Sequence, residues 1–202
     1  MPRYFYDTEF IEDGKTIDLI SIGIVCEDGR EYYAQSVEFD PLKANSWVQS
    51  NVLKRLSTCP RTQKTLMMDI AHHYNKGKCV DPGCLWRTRE QIKNEILAFM
   101  DVAKYGKPEL WAYYADYDHV VFCQLFGTMM DLPEGFPMYT LDLKQFCDMT
   151  GNPQLPKQGK GEHNALSDAR WNKRVWDFLH GTSNHTARVL VSGENVCPTI
   201  NI

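Results

Sequence analysis

Apolar positions along this chain first alternate, then run together, then recur at helical spacing. Residues 4–10, Tyr-Phe-Tyr-Asp-Thr-Glu-Phe, have the two-residue period of a strand. Phe5, Asp7 and Glu9 fall on one face of it, and Tyr4, Tyr6 and Thr8 on the other. Residues 17–26 are β-branched and almost wholly apolar, which predicts a strand buried on both faces. Asp28-Gly29 supplies a hairpin turn, and residues 31–39 return as a third strand. The first three strands therefore form an antiparallel meander led by the acidic one. Asp40-Pro41 ends it, and residues 44–56 show helical apolar spacing.

Residues 57–85 are polar and irregular, a long excursion with a short helix near 65–74. Residues 88–102 read as an amphipathic helix capped by Thr88. A strand is predicted over 109–115, a helix over 117–130, a short strand over 138–141 and a short helix over 142–150. After an exposed connection, residues 163–179 form the last strong helix. Little pattern follows Gly181, although Val189-Leu190-Val191 would suit docking on a sheet edge. The expectation is an α/β fold: a mixed sheet, the meander plus later parallel strands, flanked by helices. Residues 1–181 make one domain carrying an insertion at 57–85, and 182–202 a tail.

Composition narrows the function without naming it. The chain has 202 residues, 43% of them apolar, enough for a sizeable core. A net charge of -4 and a pI near 5.9 exclude a generally basic nucleic-acid binder. Seven scattered cysteines suit reduced thiols in a cytoplasm. Neither a signal-peptide pattern nor an apolar run long enough for a membrane span is seen.

Charge placement brings in chemistry. Asp7 and Glu9, side by side on one pleated face, repel unless a cation sits between them. A hard divalent ion with oxygen ligands is the natural candidate. Two more acidic stations follow: Asp116-Tyr117-Asp118-His119 where a strand turns into a helix, and His163-Asn164-Ala165-Leu166-Ser167-Asp168 at the start of the last helix. If both His163 and Asp168 were helical, their separation would be about one and a half turns. Taken singly, each has a plainer role. Asp116 could cap its helix, Asp168 pair with Arg170 or Lys173, and His163 sit on the surface. Together, acid-x-acid, acid at strand-to-helix and His-x4-acid point to one metal-binding crevice at the carboxyl ends of the strands.

These motifs resemble the DEDD superfamily of 3′→5′ exonucleases in its histidine-containing branch. The matching stretches are Phe5-Tyr6-Asp7-Thr8-Glu9, Ile20 to Val25, Tyr113 to Phe122, and His163 to Ala169 in a His-x-Ala-x-x-Asp-Ala pattern. The opening, through Gly14, is similar to the mycobacterial exoribonucleases that trim adenylate-containing RNA. The resemblance spans roughly 3–180 apart from the excursion, and implies a ribonuclease H-like fold. It departs from the family where Phe10 follows Glu9 and where Ala115-Asp116 stands near a usual Asn.

The resemblance implies that Asp7, Glu9, Asp118 and Asp168 bind two Mg²⁺ or Mn²⁺ ions, with Asp116 as runner-up to Asp118. His163 is then the general base, since an imidazole exchanges protons near neutral pH. Thr8 and Phe10 would contact the terminal nucleotide, and Lys157 and Lys160 the phosphate backbone. Phe10 has an equal reading as a core residue, and the two lysines as members of a solvated loop. The implied substrate is the 3′ end of single-stranded or overhanging RNA, released as nucleoside 5′-monophosphates, and the implied assembly a homodimer. Three alternatives stay open: a DNA-directed exonuclease, a hydrolase of small phosphodiesters, and a non-catalytic nucleic-acid-binding module. His72, His73, Cys79 and Cys84 offer nitrogen and sulfur ligands, but adjacent histidines and a Cys-x4-Cys spacing fit zinc frameworks poorly. That stretch is read as a plain loop.

Overall fold

The computed structural model describes residues 1–61, 65–76, 81 and 83–192, by backbone alone at 75, 76 and 182–192. Among the described residues, six strands form one mixed sheet in the order β4-β3-β2-β1-β5-β6. The central pair, β1 (Arg3–Glu12) and β2 (Ile17–Cys26), is antiparallel, and β3 (Glu31–Ser36) continues the meander. β4 (Trp86–Arg87) joins β3 in parallel, while β5 (Glu109–Ala112) and β6 (Leu141–Asp142) add in parallel beyond β1. A meander followed by parallel strands is the ribonuclease H-like arrangement expected. β4 went unforeseen because two residues carry no period.

One sheet face holds the largest core cluster. Tyr4, Tyr6, Ile22 and Ile24 pack there against Ile92, Ile96 and Met100 and against Val121 and Phe122. These come from α3 (Arg89–Phe99) with its C-cap Met100, and from α5 (Asp116–Gln124). Thr88 caps α3 in a reciprocal box with Gln91, as its position suggested. The opposite face carries α7 (Ala165–Ser192), which lies against β1 and β2. Beside it, α6 (Leu143–Met149) packs Leu143 and Cys147 against Trp171, Val175 and Leu179. The segment over 44–86, which holds the excursion, contributes a third cluster built on Trp86, Cys59, Cys84, Val48 and Val52. It includes α1 (Ser46–Asn51), one turn of 3-10 helix over Leu53–Arg55, and α2 (Leu66–Lys76). The short α4 (Val102–Tyr105) precedes β5.

Several boundaries differ from the sequence reading. β5 stops at Ala112 because Tyr114 takes a left-handed turn, φ 56°. α5 ends at Gln124, before Gly127 at φ 126°, a conformation glycine accepts and other residues rarely do. The residues expected as a strand over 138–141 pair only from Leu141. α7 runs on past Gly181 to Ser192, so 189–191 is helix rather than an edge strand.

Two local features shape the crevice. In the β1–β2 register Glu9 faces Ser21 while Phe10 faces Leu19, so Ile20 is the extra residue of a bulge beside Glu9. That slip lets Leu19 and Ile22 share a face. On the other flank, the β1–β5 pairing covers Arg3 to Phe5. Beyond Phe5 the flank of β1 is served by side chains from other elements. Asn172 of α7 donates to the Tyr6 carbonyl (2.8 Å), and the Thr8 N–H donates to Asp118 (2.7 Å).

Candidate active site

Three elements bring the acids together. β1 presents Asp7 and Glu9 toward α7, while Thr8 turns to the other face. Asp118, in the first turn of α5, is 6% exposed and accepts both the Thr8 N–H (2.7 Å) and the Thr8 hydroxyl (2.6 Å) on one oxygen. Asp116, two residues earlier, is exposed, so the helix turns Asp118 inward. Asp168 lies in the first turn of α7, where Gln158 donates to one oxygen (2.6 Å) and the His163 N–H to the other (2.8 Å).

α7 reaches this position because β2 has a glycine under its first turn. A Cβ on Gly23 would stand 2.3 Å from the Leu166 nitrogen and 2.4 Å from the Ala165 carbonyl. Gly23 is also the partner of Asp7 across the β1–β2 pair. The absence of a side chain there lowers the helix start onto the sheet next to the acidic strand.

His163 is not helical, which corrects the one-and-a-half-turn picture. It sits before α7 in a left-handed conformation, φ 66°, and Asn164 provides the cap by accepting the Ser167 N–H (3.2 Å). The strained backbone is anchored through the N–H bonded to Asp168. The imidazole meets Trp47 edge-on, ring centres 4.8 Å apart. Ligand atoms of Glu9, His163 and Asp168 lie within 4.8 Å of one another.

The electrostatics are those of carboxylates crowded without enough positive charge. Burial, then the charges of Asp118, Glu9 and Asp168, hold Asp7 well above the usual carboxylate range. Burial, then Asp168 and Asp118, push Glu9 up to about 8, with Arg55 opposing. Burial lifts Asp118 to about 6 against the hydrogen bonds from Thr8. Asp168 is raised by burial and lowered by Gln158 and the His163 N–H. Oxygen donors that resist ionising together, with one imidazole at the rim, fit hard divalent cations. Bound cations would relieve the repulsion and let all four acids ionise.

The family model of the Rv2179c-like 3'-5' exoribonuclease domain matches residues 2–180. The chain belongs to this family. Two relatives from Mycobacterium tuberculosis are each 43% identical over 182 residues, 90% of this chain and 95% of theirs. They are 3'-5' exoribonuclease MT2234.1 of strain CDC 1551 / Oshkosh and 3'-5' exoribonuclease Rv2179c of strain ATCC 25618 / H37Rv. Among solved structures, the Mg²⁺- and Mn²⁺-bound form of S. pombe Pop2p aligns with 91% of this chain and 84% of its own, at 14% identity and a TM-score of 0.41.

As a member of the Rv2179c-like family, the chain is a 3'-5' exonuclease by descent, and its remaining predicted residues occupy distinct places. Thr8 is buried with its hydroxyl committed to Asp118. Phe10 is half-buried, packed on the core and edge-on to Tyr117 (5.8 Å). Lys157 and Lys160 are exposed on the loop before His163, and the Lys160 carbonyl accepts Arg55 (3.1 Å). Sequence reasoning missed Gln158, Arg55, Trp47 and Asp142. Asp142 caps α6 through the Gln145 N–H and also accepts the Ala115 N–H (2.7 Å), tying down the turn before Asp118. Its place just before an apolar helix was a readable cap signal. Gln158, Arg55 and Trp47 reach the site through folding alone. No described helix is long and apolar enough to cross a membrane.

Proposed function

We propose that this chain is a divalent-metal-dependent 3'-5' exoribonuclease that hydrolyses the last phosphodiester of an RNA strand and releases a nucleoside 5′-monophosphate. The observation that carries the reading is the convergence of Asp7, Glu9, Asp118 and Asp168 in one crevice with His163 at its rim. The four carboxylates would hold two Mg²⁺ or Mn²⁺ ions. When bound, such ions stabilise negative charge on the attacking and leaving oxygens.

The protein's own groups do the rest. His163 accepts the proton of the attacking water on a ring nitrogen. Asp168 holds the His163 backbone in its left-handed turn, and Trp47 limits where the ring can swing. Thr8 fixes the orientation of Asp118. Trp47, 53% exposed, and Tyr117, 49% exposed beside Phe10, offer faces on which unpaired bases stack. Lys157 and Lys160 meet the phosphates from the loop before His163. A homodimer working in the cytoplasm belongs to the same reading, and sedimentation tests the dimer.

The experiment follows 5′-labelled RNA with Mg²⁺ and with chelator, product mononucleotides being resolved chromatographically. Stepwise shortening with Mg²⁺, abolished by chelator and by Asp7→Ala, is expected. Shortening by Asp7→Ala at the wild-type rate would overturn the assignment.

A further inference from the structure

The excursion contains a second ligand cluster that the exonuclease site does not use. Cys59 follows the 3-10 turn, His73 lies in α2 and Cys84 stands just before β4. All three are buried, and their ligand atoms lie within 4.8 Å of one another. Cys84 Sγ and His73 Nε2 are 3.2 Å apart. His73 Nδ1 is 2.7 Å from the Asp69 carbonyl. A carbonyl oxygen only accepts, so the proton is on Nδ1. Nε2 then presents its lone pair toward the sulfur atoms. An imidazole pinned through one nitrogen by a carbonyl, with the other aimed at thiols, is the outer-shell arrangement of a metal-bound histidine.

We propose that Cys59, His73 and Cys84 bind a zinc ion that staples the excursion to the edge of the sheet. Donor atoms on one tetrahedral zinc stand about 3.6–3.8 Å apart, and here one pair is at 3.2 Å and all three lie within 4.8 Å of one another. Two thiols give up their protons on binding, and the ion takes a neutral imidazole and two thiolates. The donor set selects a softer cation than the carboxylate crevice does. Cys79, the remaining thiol of the sequence cluster, lies outside the described residues.

The plain-loop reading judged spacing within 72–84 alone. The partner that completes the cluster, Cys59, lies upstream. Ser57, two residues from Cys59, exchanges two hydrogen bonds with the buried Gln35 side chain (2.7 and 3.0 Å), and Cys84 leads directly into β4. A zinc ion would join the first and last segments of the excursion through α2. Arg55, whose charge acts on Glu9, is four residues before Cys59, so the ion braces one wall of the crevice at a distance.

The test uses the full chain without a histidine tag, purified without chelator, its metal measured by elemental mass spectrometry. About one zinc per chain is expected, falling to below roughly a tenth in Cys59→Ser/Cys84→Ser. Because that variant could fail to fold, the wild type is also stripped and reloaded with Co²⁺. Tetrahedral cobalt bands with a thiolate-to-metal charge-transfer band are expected, a signature the carboxylate crevice cannot produce. Wild-type protein with no zinc and no charge-transfer band overturns the proposal. So does zinc retained in full by the double variant.

Discussion

At the scale of single residues, what decides the site is how each acid is held. Asp118 and Asp116 looked interchangeable in sequence. The first turn of α5 buries one beside Thr8 and exposes the other. Thr8→Val keeps the shape but removes one of the two donors to Asp118. It should cost about 1 kcal/mol of stability and slow turnover roughly tenfold, read by melting and steady-state rates. Glu9 makes a sharper test. Its folded value near 8 lies above the ordinary 4.5, so the metal-free native state holds a proton that the unfolded chain has released. That contribution is fully present below about pH 4.5 and lost as pH rises through about 8. Chelated wild-type protein should therefore melt at falling temperature across this window, and Mg²⁺ should restore the loss at the alkaline end. Glu9→Gln should flatten the dependence and raise the chelated melting temperature near pH 8 by about 2–4 °C or more, while abolishing turnover. A steeper decline in the variant would contradict the crowding argument.

At the scale of elements, legibility tracks how local the cause is. β2 was readable over its full length because an apolar run is bracketed by turn chemistry at both ends. α3 was readable from Thr88 and the spacing of Ile92 and Ile96. β4 exists because β3 offers an edge, and no property of Trp86-Arg87 announces it. The start of α7 was misplaced by two residues because His163 and Asp168 were treated as one helical repeat. Asn164 and Ser167, the actual cap, lay between them. The contact of α7 with Gly23 yields the clearest prediction at this scale. Gly23→Ala places a methyl against backbone atoms of Ala165 and Leu166, which cannot rotate away. The helix start must lift from β1, at about 2 kcal/mol or more, a melting temperature lower by roughly 4–8 °C. Asp168 and His163 would leave Glu9, so turnover should fall further than stability alone explains. An unchanged melt together with unchanged turnover would show that α7 is not seated by this glycine.

At the scale of the whole molecule, the crevice opens where the β1–β5 pairing ends and α5 and α7 begin on opposite faces of the sheet. The four acids come from residues 7 to 168, so no local window of sequence contains the site. The order of the motifs suggested the set, and the sheet brings its side chains near one another. On the proposed reading, an acidic protein can act on RNA because bound divalent cations would convert the concentrated negative charge into affinity for phosphate. The most direct measurement compares Asp118→Asn with Asp116→Asn on the same 5′-labelled RNA with Mg²⁺. The account predicts that Asp118→Asn slows release of nucleoside 5′-monophosphates by about 1,000-fold, while Asp116→Asn stays within about threefold of wild type. Wild-type rates from Asp118→Asn would contradict it.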